Sequence, residues 1–168
     1  MTVYATVDSP LGELLLVGEE SATAVGGTAL VSLSLPGQKG SAEVRDGRRP
    51  APEEFEEIIA QLRAYFAGEL TSFSIEFARD AGTDFQRRVW QAVEEIPYGR
   101  TATYGQIAER VGAAGPGVRA VGTAIGRNPL LIVRPCHRVI GADGALRGYA
   151  GGLPSKARLL GLEGALVP

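Results

Sequence analysis

Arg127-Asn-Pro-Leu-Leu-Ile-Val-Arg-Pro-Cys-His-Arg-Val-Ile-Gly-Ala-Asp-Gly-Ala-Leu-Arg-Gly-Tyr-Ala-Gly-Gly152 contains the only cysteine and the only histidine of the 168-residue chain, and they are neighbours: Cys136 and His137. One thiol cannot close an internal disulfide, and one Cys with one His cannot complete a structural zinc site. A lone cysteine is ordinarily a small buried hydrophobe. Any chemical role must therefore be read from what surrounds it.

Immediately upstream, Pro116 begins a helix made almost wholly of small residues: Ala120, Gly122, Thr123, Ala124 and Gly126. Val118, Val121 and Ile125 point one way, while Arg119, Gly122 and Thr123 belong to the other surface. On spacing alone, such a face suits tight helix–helix packing and close approach to DNA equally. Arg119, presented beside the small face, favours DNA. Before the break at Gly112–Gly115, Thr103 with Gln106 forms a capping box that opens a short helix with Ile107, Ala108 and Val111 inward. Thr83 with Gln86 forms another, followed by Phe85, Val89, Val93 and Ile96 on one face, and Pro97–Arg100 is a turn. Two short helices around a glycine-containing break fit a helix-turn-helix, with a break longer than the usual turn.

The first half reads differently. Val3–Val7 and Glu13–Val17 alternate as strands around a Ser9-Pro-Leu-Gly12 turn, with further β-like runs at Ala24–Val25 and Leu30–Leu35. Pro36–Arg49 is polar, charged and glycine-bearing, and reads as a mobile loop. Pro52 fits a first helical position, Glu53 and Glu54 suit its positive end, and Phe55, Ile59, Leu62 and Phe66 make an apolar stripe that Gly68 stops. Phe73–Phe77 reads as one more strand, and Arg79–Gly82 as a linker. Two domains are expected, 1–79 and 80–168.

Charge follows the same division. Residues 1–79 carry six Lys/Arg and twelve Asp/Glu, whereas residues 80–168 carry eleven and seven, ten of those eleven cations being arginine. Arginine is the side chain best shaped for phosphate, so the second half is the candidate nucleic-acid binder. Apolar residues make up 45% and charged residues 21%, the balance of a globular protein. No stretch is long and apolar enough to span a bilayer. Met1–Asp8 lacks the charged-then-apolar plan of a signal peptide, so a cytoplasmic protein is expected.

With these features in place, the chain resembles the O6-alkylguanine–DNA alkyltransferases, the suicide DNA-repair family. The core of the likeness is Pro135-Cys136-His137-Arg138-Val139. Ordered matches flank it: Phe85, Val89-Trp90, Ile96-Pro97-Tyr98-Gly99, Tyr104, Arg119-Ala-Val-Gly122, Asn128-Pro129, Gly148-Tyr-Ala-Gly-Gly152, Leu159-Leu160 and Glu163-Gly164. The likeness is dense over 83–164 and, in the first half, rests on the Ser9–Gly12 turn and the layout. It implies an α+β fold: a small N-terminal antiparallel sheet with a helix, ribonuclease H-like, then a helical domain with a helix-turn-helix and an active-site loop.

The chemistry implied needs these residue types. Displacing an alkyl carbon from oxygen takes a soft nucleophile, and a thiolate qualifies where a thiol does not. The resemblance makes Cys136 the acceptor of a methyl or larger alkyl group from guanine O6, with thymine O4 a second candidate, in one irreversible turnover. It implies a water bridge from Cys136 to His137, with Glu163 holding the other imidazole nitrogen, in the logic of Cys–His–acid sites. Tyr104 donates a proton or hydrogen bond to the departing base, and Asn128 braces the turn into the active site. Val139, Tyr149, Ala150 and Gly151 line the base pocket. Arg119 fills the space left by a flipped nucleotide, and the small helix bearing Gly122 lies in the minor groove of double-stranded DNA. A monomer with no cofactor and no metal is implied.

Three departures stand out. Leu131 occupies a position where many relatives have a second proline. Arg134 stands where an aliphatic residue is expected, and either reaches solvent or phosphate or disturbs packing. The zinc ligands of some relatives' first domain are missing. Two other readings use the same residues: a cysteine hydrolase, which would need an oxyanion hole, and a lesion-binding alkyltransferase-like protein, against which the thiol itself argues.

Overall fold

The computed structural model describes residues 2–38, 48–79 and 82–165. The chain folds as two compact units, Met1–Asp80 and Ala81–Pro168. Most of the loop expected at Pro36–Arg49, and two residues of the linker expected at Arg79–Gly82, lie outside the described residues.

In the first unit, β1 (Thr2–Ser9) and β2 (Gly12–Glu20) form a hairpin, Ser9 pairing with Gly12 across the turn. The Ser9 hydroxyl closes that turn by donating to the Gly12 carbonyl and accepting from the Leu11 amide. β2 pairs in turn with β3 (Thr28–Ser34), and β4 (Arg49–Pro50) adds to the far side of β1 in parallel, giving the order β3-β2-β1-β4. Ala24–Val25, expected as β-like, instead leads into a 3-10 turn over Val25–Gly27. The strand expected at Phe73–Phe77 is reduced to one bridge between Phe77 and Leu30.

A 3-10 turn at Pro52–Phe55 opens α1 (Glu56–Phe66), which ends in the backbone bonds expected of a glycine stop, Gly68 standing at φ +78°. The helix buries Ile58, Leu62 and Tyr65 with Phe55, rather than the predicted Ile59 and Phe66. Both sets have helical spacing, i+3 and i+4 being neighbours on the same face. Contact with the sheet selects between them.

In the second unit, α2 (Asp84–Glu94) and α3 (Tyr104–Arg110) both start in the expected capping boxes, Thr83 with Gln86 and Thr103 with Gln106. α4 (Val118–Gly126) follows a 3-10 turn at Gly115–Gly117 and packs on α2 and α3. Its small residues let Trp90 of α2 come close enough to donate from Nε1 to the Ala124 carbonyl at 2.8 Å. Two strands too short for any periodic signal, β5 (Ala102–Thr103) and β6 (Val139–Ile140), pair in parallel. They bring the start of α3 beside the segment that follows Cys136. α5 (Leu153–Leu162) closes the unit. Among the described residues no helix is long and apolar enough to cross a membrane.

Gly18 marks a tightly packed point of the first unit. The β2–β3 register slips at Val17/Gly18, and a Cβ on Gly18 would stand 2.7 Å from Thr28 Cγ2 and 3.0 Å from both the Ala29 carbonyl oxygen and Phe55 Cε1. Backbone cannot give way there, so Gly18→Ala should cost about 1–3 kcal/mol. Thermal unfolding should then show a melting temperature lower by roughly 4 °C or more. An unchanged melting temperature would mean that the sheet does not close on Phe55 as described.

Candidate active site

The site grows from the loop between α4 and β6, and Asn128 ties that loop together. Its Oδ1 accepts from the Leu130 amide at 2.9 Å, while Nδ2 donates to the carbonyls of Leu130 (3.3 Å) and Arg134 (3.2 Å) and to Cys136 Sγ (3.2 Å). The backbone it holds is tightly wound. Ile132 is buried at φ +71°, and the Val133 amide reaches back to the Leu131 carbonyl at 2.8 Å, a γ-turn in a region that β-branched residues rarely enter. Pro135, at φ −79° and ψ 59°, makes an inverse γ-turn, closed by the Cys136 amide on the Arg134 carbonyl at 2.7 Å. Local strain of this kind persists only where the surroundings over-determine it, and here the determinant is the Asn128 side chain.

Cys136 begins a 3-10 turn that also contains His137 and Arg138, and all three are buried. Both basic side chains reach Glu163, the residue that caps α5. His137 Nε2 lies 2.8 Å from Glu163 Oε2, Arg138 Nε donates to Oε1 at 2.7 Å, and the Arg138 terminal nitrogen donates to Oε2 at 3.0 Å. Arg138 also donates to the Ile96 carbonyl at 2.6 Å. An acceptor carboxylate opposite Nε2 requires the proton of neutral His137 to sit on Nε2. The other ring nitrogen, Nδ1, is buried and makes no hydrogen bond to a described protein group, so its lone pair is left available as a base. Burial pushes the His137 pKa below its ordinary 6.5, against the opposing pull of Glu163, which keeps the ring neutral.

The thiol is placed against its own ionisation. Burial raises the Cys136 pKa to about 11, although the Asn128 hydrogen bond, Lys156, a backbone hydrogen bond and Arg134 all act in the opposite direction. At neutral pH it is therefore a protonated thiol, which must lose its proton to act as a nucleophile. Tyr104, on α3, is raised by burial and then by Cys136, so it retains its phenolic proton. Its hydroxyl donates to the Arg147 carbonyl at 3.3 Å.

The structure thus brings Cys136, His137, Glu163, Asn128 and Tyr104 together. Gly122 joins them: a Cβ there would lie 3.9 Å from the Tyr104 ring. Tyr149 meets the His137 ring edge-on at 6.5 Å, and Ala150 and Gly151 follow it, partly buried. Val139 is wholly buried in β6, so its side chain belongs to the core. Arg119 stands apart on the exposed side of α4. Leu131 is buried.

Two site residues escaped the sequence reading. Arg138 lay inside the quoted pentapeptide without a role, and Lys156 was passed over. Lys156 is fully buried, donates to the Arg147 (2.6 Å) and Gly148 (3.3 Å) carbonyls, and is pushed by burial down to about 8. It pins the strand of chain leading to Tyr149. The signal available was its spacing, since Lys156, Leu160 and Glu163 fall on one face of a helix. Among the described residues no cluster of three or more His, Cys, Asp and Glu could hold a metal ion.

The chain is similar to known proteins over both units. The family described as 6-O-methylguanine DNA methyltransferase matches twice, its ribonuclease-like domain over residues 2–78 and its DNA binding domain over residues 84–165. A methylated-DNA–protein-cysteine methyltransferase from Mycolicibacterium paratuberculosis is 50% identical over 163 residues, covering 97% of this chain and 93% of the relative. One from Methanosarcina acetivorans is 49% identical over 162 residues, covering 96% and 98%. A crystal structure of Mycobacterium tuberculosis OGT in complex with DNA superposes with a TM-score of 0.86 at 48% identity, covering 97% of this chain and 93% of that one.

The lowered pKa of His137 fixes the sign of a pH dependence. A group depressed in the folded state adds stability above its unfolded pKa and loses it as pH falls through the folded value. Once pH falls through that folded value, which lies below 6.5, the imidazole becomes charged, and both the base and that share of stability are lost. The imidazole of His137, the only one in the chain, followed by its carbon-bound proton resonances across pH, should therefore titrate with a midpoint below 6.5. A midpoint above 6.5 would show that His137 is not the depressed, neutral base described.

Proposed function

The chain belongs to the 6-O-methylguanine DNA methyltransferase family and repairs DNA by transferring an alkyl group from it to a cysteine; from that premise we propose that Cys136 is the acceptor, that residues 80–168 are the DNA-binding and acceptor domain, and that 1–79 is a separate domain. The observation that carries this reading is the thiol's setting. Cys136 is the sole sulfhydryl of the chain, is held by Asn128, and adjoins an imidazole oriented by a buried carboxylate.

His137 Nδ1 takes the thiol proton through one bridging water, since adjacent side chains meet poorly head-on. The Cys136 sulfur then attacks the alkyl carbon on guanine O6, forming a C–S bond as the C–O bond breaks. The bonding pair leaves on the purine, and Tyr104, with its pKa raised by burial, supplies the proton or hydrogen bond that eases departure. The thioether has no route back to a thiol, so each molecule reacts once.

A base inside a duplex is out of reach, so the alkylated guanine is flipped out of double-stranded DNA, at a cost of a few kcal/mol. Arg119 fills the vacated space, and the small face of α4 around Gly122 lies in the minor groove, where bulky side chains would hold the backbone away. Tyr149, Ala150 and Gly151 wall the base pocket. The protein acts as a cytoplasmic monomer without cofactor or metal.

Incubation with duplex DNA containing O6-methylguanine should add one methyl group per chain, read by intact mass, and Cys136→Ala should abolish the gain. Sustained multiple turnover would contradict the assignment. Arg119→Ala should slow repair of duplex DNA roughly tenfold or more, the flipping cost no longer being offset, while reaction with free O6-benzylguanine stays near that of the unaltered protein. Equal losses on both substrates would place Arg119 in the chemical step or in folding.

A further inference from the structure

Arg134, two residues before Cys136, is only 2% exposed. Its guanidinium lies over the Trp90 ring at 4.8 Å, its Nε donates to Glu94 Oε2 at 2.8 Å, and a terminal nitrogen donates to Asn128 Oδ1 at 3.3 Å. Glu94, at the end of α2, is about one-third exposed, so the ion pair runs from the surface inward. Burying a guanidinium is costly where an aliphatic side chain would fill the same space without desolvation. The charge is directed at Asn128, whose side chain donates to the sulfur of Cys136.

We propose that Arg134 is a positioning residue for alkyl transfer: it locks and polarises the Asn128 carboxamide that donates to Cys136 Sγ, and sets a buried positive charge beside that sulfur. The amide orientation is unambiguous, because the Leu130 backbone amide can only donate and so faces an oxygen. With Arg134 as a second donor on the same oxygen, both amide hydrogens are turned toward the Leu130 and Arg134 carbonyls and the sulfur. A charged donor on Oδ1 strengthens the amide's own N–H bonds in turn. The result favours the thiolate that the apolar surroundings of Cys136 disfavour. Other groups facing the sulfur are Lys156 from α5 and Tyr104 from α3, with His137 and the Glu163–Arg138 pair behind it. Glu94 faces Arg134 and offsets part of its charge.

This inference rests on Cys136 being the acceptor, and the test separates the two. Single-turnover methyl transfer from saturating O6-methylguanine duplex is followed by intact mass across pH, with duplex affinity measured separately. Absence of methyl transfer to the unaltered protein would sink the acceptor assignment itself. Given transfer, Arg134→Met should lower the rate constant at pH 7.5 roughly tenfold and move the pH–rate curve alkaline by about one unit, with duplex affinity unchanged. Glu94→Gln, at the outer end of the pair, keeps an acceptor for Arg134 but removes the offsetting charge, so it should move the curve toward acid. A merely structural tie predicts that both variants lose activity without opposite shifts. Arg134→Met with an unmoved curve, or Glu94→Gln unmoved or shifted alkaline, overturns the proposal. If Arg134→Met fails to fold, the direction of the Glu94→Gln shift decides alone.

Discussion

One buried carboxylate organises the second unit. The Glu163 side chain has no exposed surface, yet it accepts from an imidazole and, through both oxygens, from a guanidinium. Removing one partner of such a buried set leaves an uncompensated charge, at a cost of about 3–5 kcal/mol. That cost makes the arrangement all-or-none. It fastens the end of α5 to the turn carrying Cys136, and through the Arg138 bond to the Ile96 carbonyl it fastens both to the chain leaving α2. The active sulfur thus lies where three separate segments are held to one ion.

The site also resolves a conflict between packing and chemistry. A pocket that excludes water strengthens every directed hydrogen bond, but it also holds the thiol in its unreactive form, at about 11. A resident thiolate is one answer to that conflict; a base placed to take the proton only during reaction is another. The depressed His137 and the donor bond from Asn128 fit the second. On the proposed mechanism the sulfur stays protonated in the resting protein and becomes a nucleophile when a substrate fills the pocket. For a protein that reacts once, an inert resting state protects its only equivalent.

Much of this was legible in the residues. Both capping boxes, the Ser9–Gly12 hairpin turn and the Gly68 stop are local devices whose partners lie within a few positions, so spacing alone reveals them. The pentapeptide at Pro135–Val139 pointed to Cys136, His137 and, through the resemblance, to Glu163. Features set by long-range contact stayed hidden. β4, β5 and β6 are two residues each and carry no period. The inward face of α1 could not be chosen between i+3 and i+4 without the sheet it covers. The partners of Arg134 and Lys156 could not be read from sequence, because only the fold brings Glu94, forty positions away, and the Arg147 and Gly148 carbonyls within reach of them.

The chemistry of the site turns on which nitrogen of one ring carries the proton. His137 is the only histidine in the chain, so nitrogen-15 resonances of the imidazole report it without ambiguity. At pH 7 the ring should be neutral and protonated on Nε2, facing Glu163, with Nδ1 bare and ready to take a proton from Cys136 through water. A proton on Nδ1 at that pH, in the other tautomer or in an imidazolium, would contradict that arrangement.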